Sequence, residues 1–273
     1  MIPIISNTEI APNIFEMTVE HSRLASKAEP GHFVIAMAQE QGERIPLTIA
    51  DFDRNRGTIT LVITAIGTST KKLVRLQAGQ SLYALIGPLG HPSELGNFGT
   101  VIMVAGGVGT APVYPIARAL HDCGNTVISI QGARTANLLF WKDKLAAVSS
   151  EHIIMTDDGS EGRKGLVTEP LREKLEMSAA GLVFMIGPAV MMKFCAETVR
   201  PFGVRAVASL NSIMIDGTGM CGGCRVKIGS ETKFTCVDGP EFDALAVDWD
   251  VLLSRQKMYC EEEKCSLAQY KPV

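Results

Sequence analysis

Three of the seven cysteines fall within sixteen residues, in the run DGTGMCGGCRVKIGSETKFTC, and that spacing constrains the chain more than any other feature. Cys221 and Cys224 make a C-x2-C pair, and Cys236 follows after an x11 spacer. An odd cysteine total with uneven spacing argues against a disulfide framework, and thiolates clustered this closely point to a metal centre in a reducing compartment. Plant-type [2Fe–2S] sites use C-x4-C-x2-C followed by a distant Cys. Here Asp216 stands where the first Cys of that pattern would be, so the run reads D-x4-C-x2-C-x11-C. A carboxylate is a monoanion like a thiolate but a harder donor, so it would shift the potential of a cluster. Gly217, Gly219, Gly222 and Gly223 give the loop freedom to wrap a cluster and to turn amide N–H groups toward its sulfurs. The expected ligands are Asp216, Cys221, Cys224 and Cys236. Two other readings stay open: a structural zinc site with Cys3Asp ligation, and Asp216 as an ordinary turn residue beside glycine. Cys260 and Cys265, five apart on an expected terminal helix, face different directions and make a poor metal pair. Cys123 and Cys195, in apolar surroundings, read as buried or incidental thiols.

The rest of the chain is long enough for two or three domains at 273 residues. With 46% hydrophobic and 20% charged residues it can bury a core, and a net charge of −3 excludes a general nucleic-acid binder. The start shows no basic segment followed by an apolar core and small-residue cleavage site, and the longest uncharged run is broken by glycine and proline; the expectation is a cytoplasmic protein with no membrane span.

Short apolar and β-branched runs between turn residues fill the first third, predicting a small antiparallel barrel over residues 1–98. Strand and helix patterns then alternate about four times, predicting a parallel sheet with crossover helices over residues 99–205. A cysteine-bearing module with a closing helix is expected over residues 206–273.

The strand VIMVA runs into GGVGTAP and then a helix pattern. Gly107 and Gly109 are expected to let the backbone approach a pyrophosphate, with Val108 and Thr110 beside them at a helix N-terminus that favours negative charge. The match is G-x-G-x-x-P, and a glycine loop alone is often a tight turn. Gly132, Ala133 and Arg134 follow the next strand with no acidic residue for a ribose 2′-hydroxyl, so NAD and NADP both remain open. Asp157, Asp158, Gly187 and Pro188 end later strands, where open α/β sheets bind ligands, although each also suits a plain turn. In the barrel, Arg44, Ile45, Pro46, Leu47 and Thr48 place a cation and a hydroxyl at a strand start. Gly67, Ser69 and Thr70 follow another strand, and together these groups suit a diphosphate.

Barrel, GGVGTAP sheet and cysteine module in this order resemble the ferredoxin–NADP reductase superfamily, and more closely its dihydroorotate dehydrogenase electron-transfer subunits. The resemblance covers nearly the whole chain. RIPLT looks like the family's Arg-x-Pro-x-Ser/Thr flavin motif, which implies FAD phosphates at Arg44 and the Thr48 hydroxyl near the flavin ring. Val62, Ile63 and Thr64 with GTST look like its second FAD-contacting segment, while GGVGTAP, GARTANLLFW, TDDGS and MIGPAVMM resemble its nicotinamide side. Dihydroorotate-linked subunits carry Cys where Asp216 stands. Asp there is similar to the small subunit of electron-bifurcating NADH-dependent reduced ferredoxin:NADP oxidoreductases. That resemblance implies an oxidoreductase subunit carrying FAD, a [2Fe–2S] cluster and NAD(H). It further implies a larger partner with a second FAD and [4Fe–4S] clusters, acting on NADP(H) and ferredoxin. The rivals are a dihydroorotate dehydrogenase electron-transfer subunit, a stand-alone reductase of the phenol-hydroxylase type, and a zinc-stabilised nucleotide-binding regulatory protein.

Overall fold

The computed structural model describes residues 1–270. The first seven strands are β1 (Ile2–Ala11), β2 (Ile14–Glu20), β3 (Phe33–Met37), β4 (Ile45–Asp53), β5 (Thr58–Thr64), β6 (Ser81–Leu82) and β7 (Ala84–Leu89). They form an antiparallel sheet in the order β6-β1-β2-β5-β4-β3-β7. Alternation drives it: in β5, Ile59, Leu61 and Ile63 point into one core with Met17, Val19 and Ile49. Helix α1 (Ser22–Ala25) follows β2, and α2 (Thr68–Arg75) follows β5. The helix after β5 begins earlier than KKLVRL alone suggests, because Thr70 caps it: its hydroxyl bonds both N and O of Gly67, each at 3.1 Å.

The second sheet has the order β11-β10-β9-β8-β12-β13-β16. Its strands are β8 (Thr100–Gly106), β9 (Thr126–Ala133), β10 (Glu151–Thr156), β11 (Arg163–Lys164), β12 (Ala180–Ile186) and β13 (Arg205–Ser209), all parallel, as buried apolar runs linked by helices require. The crossovers are α3 (Thr110–Asp122), α4 (Lys142–Ala147), α5 (Thr168–Met177) and α6 (Ala189–Val199). LLFWKDKLAAV is helical only over its second half, since Trp141 sits at φ 54° and starts a new segment.

The cysteine segment forms the hairpin β14 (Arg225–Ile228) and β15 (Glu231–Phe234), then α7 (Thr235–Asp238) and β16 (Glu241–Asp243). Strand β16 pairs antiparallel with β13, so this segment supplies the edge strand of the second sheet. The tail is two helices, α8 (Trp249–Arg255) and α9 (Cys260–Gln269), broken where Tyr259 adopts φ 67°. Cys195 is buried, its thiol pushed up to about 12 by burial, whereas Cys123 is exposed because it caps the C-terminal end of α3.

Barrel and sheet meet at a seam in which Ala50 and Val62 pack with Ala111 and Phe140. Polar bonds flank it: Arg118 meets Asp51 at 2.8 Å, and Trp141 Nε1 donates to Glu16 at 2.7 Å. At the other edge, Ser93 donates to Glu241 Oε1 at 2.5 Å, and burial raises that carboxyl to about 7. A carboxyl raised on folding binds more protons folded than unfolded, so its contribution is present below its ordinary range and is lost as pH rises through about 7. Urea titrations should therefore find Glu241→Gln more stable than wild type at pH 8, with the advantage gone at pH 5. An equal difference at both values would contradict the buried, protonated carboxyl.

Candidate cofactor and electron-transfer site

The barrel opens where one ladder stops. Residues 45–48 of β4 pair with β3, residues 49–53 pair with β5, and the β4–β5 ladder ends at Ile49↔Leu61. Leu47 and Thr48 therefore lie on one side of an unzipped end, with Val62, Ile63 and Thr64 on the other. The side chains of Val62 and Ile63 are taken up by the seam and the barrel core, and their backbone pairs with Glu16 and Phe15 of β2 on one edge, leaving the other edge of β5 without a strand. Thr64 is different, because its Oγ1 is buried without a hydrogen-bond partner among the described residues. An orphaned buried hydroxyl is costly and marks a place where a polar ligand fits. Thr48 is half-buried and Arg44 exposed.

Strand β8 delivers Gly107–Gly109 as one 3-10 turn to the start of α3. Gly107 has φ 54° with open space where a Cβ would stand, which suits close approach by a phosphate. Gly109 works otherwise than the sequence suggested. A Cβ there would lie 2.2 Å from the Ile186 carbonyl, so this glycine lets the turn pack on β12. Thr110 is likewise turned inward, 1% exposed, with its hydroxyl 3.2 Å from Gln131 Nε2. Gln131 also donates to Phe140 O at 2.8 Å and so ties turn, β9 and seam together. Sequence reasoning missed it, since one amide within an apolar strand carries no spacing signal. It also missed Gly106, whose Cα lies 3.0 Å from where a Cβ on Gly187 would stand.

The loops after β8, β9, β10 and β12 all sit at the carboxyl ends of parallel strands, the usual ligand edge of such a sheet. Gly132 packs under Val167, Ala133 ends β9, and Arg134 is exposed. Asp157 and Asp158 are exposed. Asp158 spends its carboxylate on the Ser160 hydroxyl and amide, at 2.6 and 3.0 Å, and these bonds hold it below the usual carboxylate range. Pro188 caps α6 next to Gly187.

In the cysteine loop, Cys224 and Cys236 bring their sulfurs to 3.2 Å and are both buried. Burial and the neighbouring Cys224 push the Cys236 thiol up to about 12, so a bound cation would have to displace its proton. Cys221 is exposed and lies beside Asp216, whose Oδ2 accepts the Cys221 amide at 3.1 Å. Asp216 Oδ1 accepts the amide and hydroxyl of Thr218. The Thr218 hydroxyl, then Cys221, hold this carboxyl well below its usual range, so it is an anion at neutral pH. Among the described residues no three His, Cys, Asp or Glu side chains converge as a single-ion site. The loop instead offers two pairs, Cys224 with Cys236 and Asp216 with Cys221, a division that fits a two-iron cluster. Cys260 and Cys265 lie outside it on the tail.

Comparison with known proteins bears on this arrangement. The model for an oxidoreductase NAD-binding domain matches residues 103–197, and that for the iron–sulfur cluster binding domain of dihydroorotate dehydrogenase B matches residues 211–248. The chain is 42% identical over 267 residues to the dihydroorotate dehydrogenase B (NAD(+)), electron transfer subunit homolog of Thermotoga maritima, covering 98% of this chain and 94% of the relative. The chain belongs to the dihydroorotate dehydrogenase B electron-transfer subunit family. It is also 33% identical over 250 residues to that electron transfer subunit from Geobacillus thermodenitrificans, covering 88% of this chain and 95% of the relative. A solved structure of the NADH-dependent reduced ferredoxin-NADP oxidoreductase, described for flavin-based electron bifurcation, superposes with a TM-score of 0.93 at 41% identity, over 98% of this chain and 97% of that one. An Amycolatopsis cytochrome P450 reductase shares the fold alone, at 19% identity and a TM-score of 0.63.

This family member is an oxidoreductase electron-transfer subunit with a ferredoxin reductase-like fold, using FAD, a [2Fe–2S] cluster and NAD(H), and it serves a larger catalytic partner subunit. No helix among the described residues is long and apolar enough to cross a membrane.

Two substitutions test the geometry. Thr64→Val removes the orphaned hydroxyl, so the flavin-free protein should melt at the same or a higher temperature while flavin affinity falls about tenfold. Unchanged flavin affinity would remove Thr64 from the site. Gly109→Ala must push against the Ile186 carbonyl and should cost about 1–3 kcal/mol in urea unfolding.

Proposed function

We propose that this chain is the NAD-side electron conduit of a bifurcating NADH-dependent ferredoxin:NADP oxidoreductase, working with a larger subunit that carries a second FAD and [4Fe–4S] clusters and handles NADP(H) and ferredoxin. The observation that carries the reading is Asp216, an anion paired with Cys221 where dihydroorotate-linked chains are expected to carry a cysteine. The likeness to the NADH-dependent reduced ferredoxin-NADP oxidoreductase, at 41% identity over nearly the whole chain, supports it. Electron transfer to a dihydroorotate dehydrogenase is the second reading, favoured by the names of the curated relatives.

The division of labour is a flavin unit over residues 1–98, a nucleotide unit over 99–205 and a cluster unit over 206–273. When bound, a flavin exchanges an electron pair with nicotinamide and single electrons with an iron–sulfur cluster. The chain's own groups bind and orient. Arg44 and the Gly67, Ser69 and Thr70 turn receive the FAD diphosphate. Ile45, Pro46, Leu47 and the Val62–Thr64 backbone line the cleft, and the Thr48 hydroxyl is the side chain set beside the reacting ring. Gly107 and Val108 take the dinucleotide pyrophosphate, while Gly109, Thr110 and Gly132 hold that turn in place. Ala133, Arg134, Asp157, Asp158, Gly187 and Pro188 form the rim of the nicotinamide nucleotide site. Cys224 and Cys236, whose sulfurs adjoin, together with Cys221 and the neighbouring Asp216 carboxylate, would hold the cluster. No side-chain acid or base is needed for hydride transfer.

Anaerobic protein, isolated with whatever subunit accompanies it, should contain iron and acid-labile sulfide in equal amounts, and NADH should bleach its flavin. A flavin that NADH does not reduce would sink the conduit assignment. Co-isolation with a TIM-barrel flavoprotein would favour the second reading. Asp216→Cys should keep the cluster and move its midpoint potential, and an unmoved potential would remove Asp216 as a ligand.

A further inference from the structure

The Cys221–Cys224 turn is gripped from its outer side by two arginines. Arg225 Nη1 donates to the carbonyl of Gly222 at 3.2 Å, and Arg255 Nη2 donates to the carbonyl of Gly223 at 2.9 Å. The next carbonyl, that of Cys224, is also held: it accepts the amide and hydroxyl of Thr235 at 3.1 and 3.0 Å. A trans peptide is planar, so its C=O and N–H point to opposite sides. Holding the Gly222 and Gly223 carbonyls against the arginines therefore fixes the following amides, those of Gly223 and Cys224, toward the other side. The first of these is visible as a bond, because the Gly223 amide donates to Cys221 Sγ at 3.4 Å.

The two guanidiniums arrive by different routes. Arg225 opens β14, directly after Cys224. Arg255 ends α8, far along the chain, and that helix is anchored: Asp248 caps its start at 3.1 Å through the Val251 amide, and Trp249 and Leu252 are buried in the core of the second sheet. Gln256, the next residue, bonds Asn211 O and Oδ1 at 3.1 and 2.8 Å, closing the tail over the strand exit that leads into the loop. Both arginines line one small cavity, ≈ 20 Å³, behind the turn together with Gly223. Glycine at 222, with φ 65°, allows the turn, but a pair of glycines has no intrinsic preference for which way its peptide planes face. The arginines supply that preference.

We propose that Arg225 and Arg255 are positioning residues that set the reduction potential of the cluster, by holding the peptide planes of the Cys221–Cys224 turn with their N–H groups toward the sulfurs. Hydrogen bonds to cluster sulfurs stabilise the more negative, reduced state and raise the potential. The proposal rests on the reading that residues 216–236 hold a [2Fe–2S] cluster. The two fail separately, because iron and labile sulfide in the wild-type protein test that reading without any variant.

The experiment is an EPR-monitored redox titration of the anaerobic full-length protein with Arg225→Met, Arg255→Met and Arg255→Lys, each compared at matched iron and sulfide content. Each Met variant should shift the reduction equilibrium about tenfold toward the oxidised cluster, about 59 mV lower for one electron. Arg255→Lys keeps the charge without the planar fork and should fall between Met and wild type. Midpoints of both Met variants equal to wild type would overturn the proposal. So would full rescue by Lys, since charge alone would then account for the effect. Should a variant lose its cluster, the wild type still decides: exchange into D2O should shift its resonance Raman Fe–S bands through N–H···S contacts, and unmoved bands would overturn the proposal.

Discussion

Everything the molecule does with electrons depends on one apolar seam. Ala50 and Val62 of the barrel pack against Ala111 and Phe140 of the sheet, and this contact brings the Gly107–Gly109 turn against the open end of the β4–β5 ladder. Buried apolar surface is non-directional, so the seam alone would tolerate sliding. The bonds beside it, Arg118 to Asp51 and Trp141 to Glu16, fix its register. Gln131 then carries the constraint inward, because it holds the hydroxyl of Thr110 and the carbonyl of Phe140 at once. The open end of the β4–β5 ladder and the Gly107–Gly109 turn are thus set by the same few side chains.

The cluster loop is tied to this frame from two directions. Strand β16 makes the edge of the parallel sheet, and the tail helix α8 buries Trp249 and Leu252 in that sheet's core before presenting Arg255 to the loop. A glycine-rich loop pays a large entropy to be ordered. Here it is held by neighbours on its outer face, which leaves its inner face for sulfur ligands. The same arrangement accounts for Cys224 and Cys236 being buried while Cys221 is exposed. Cys224 and Cys236 face the protein interior, and Asp216 and Cys221 its surface.

Membership of the dihydroorotate dehydrogenase B electron-transfer family and likeness to a bifurcating oxidoreductase are compatible, since this chain matches relatives of both kinds over nearly its whole length. Under the proposed function, Asp216 would bear on the potential of the cluster, since a carboxylate is a harder donor than a thiolate.

Much was legible in the sequence because it is local. Hydrophobic alternation gave away the barrel strands, buried runs separated by helices gave away the parallel sheet, and the cysteine spacing announced a cluster before any coordinates. Spacing also singled out Asp216 as a candidate, while the RIPLT and GTST segments stood out only through resemblance to a known family. What stayed hidden depends on contacts between residues far apart in the chain. That Gly109 serves packing on Ile186 while Gly107 stays open follows from where β12 lies, and no dipeptide pattern tells the two glycines apart. Thr64 is distinguished from its neighbours only by having no partner once folded. The break at Tyr259 and the reach of Arg255 to Gly223, thirty-two positions back, exist only because α8 is seated on a distant core. Residue type and spacing are chemical facts of one dimension; direction, burial and the facing of a peptide plane are set by packing in three.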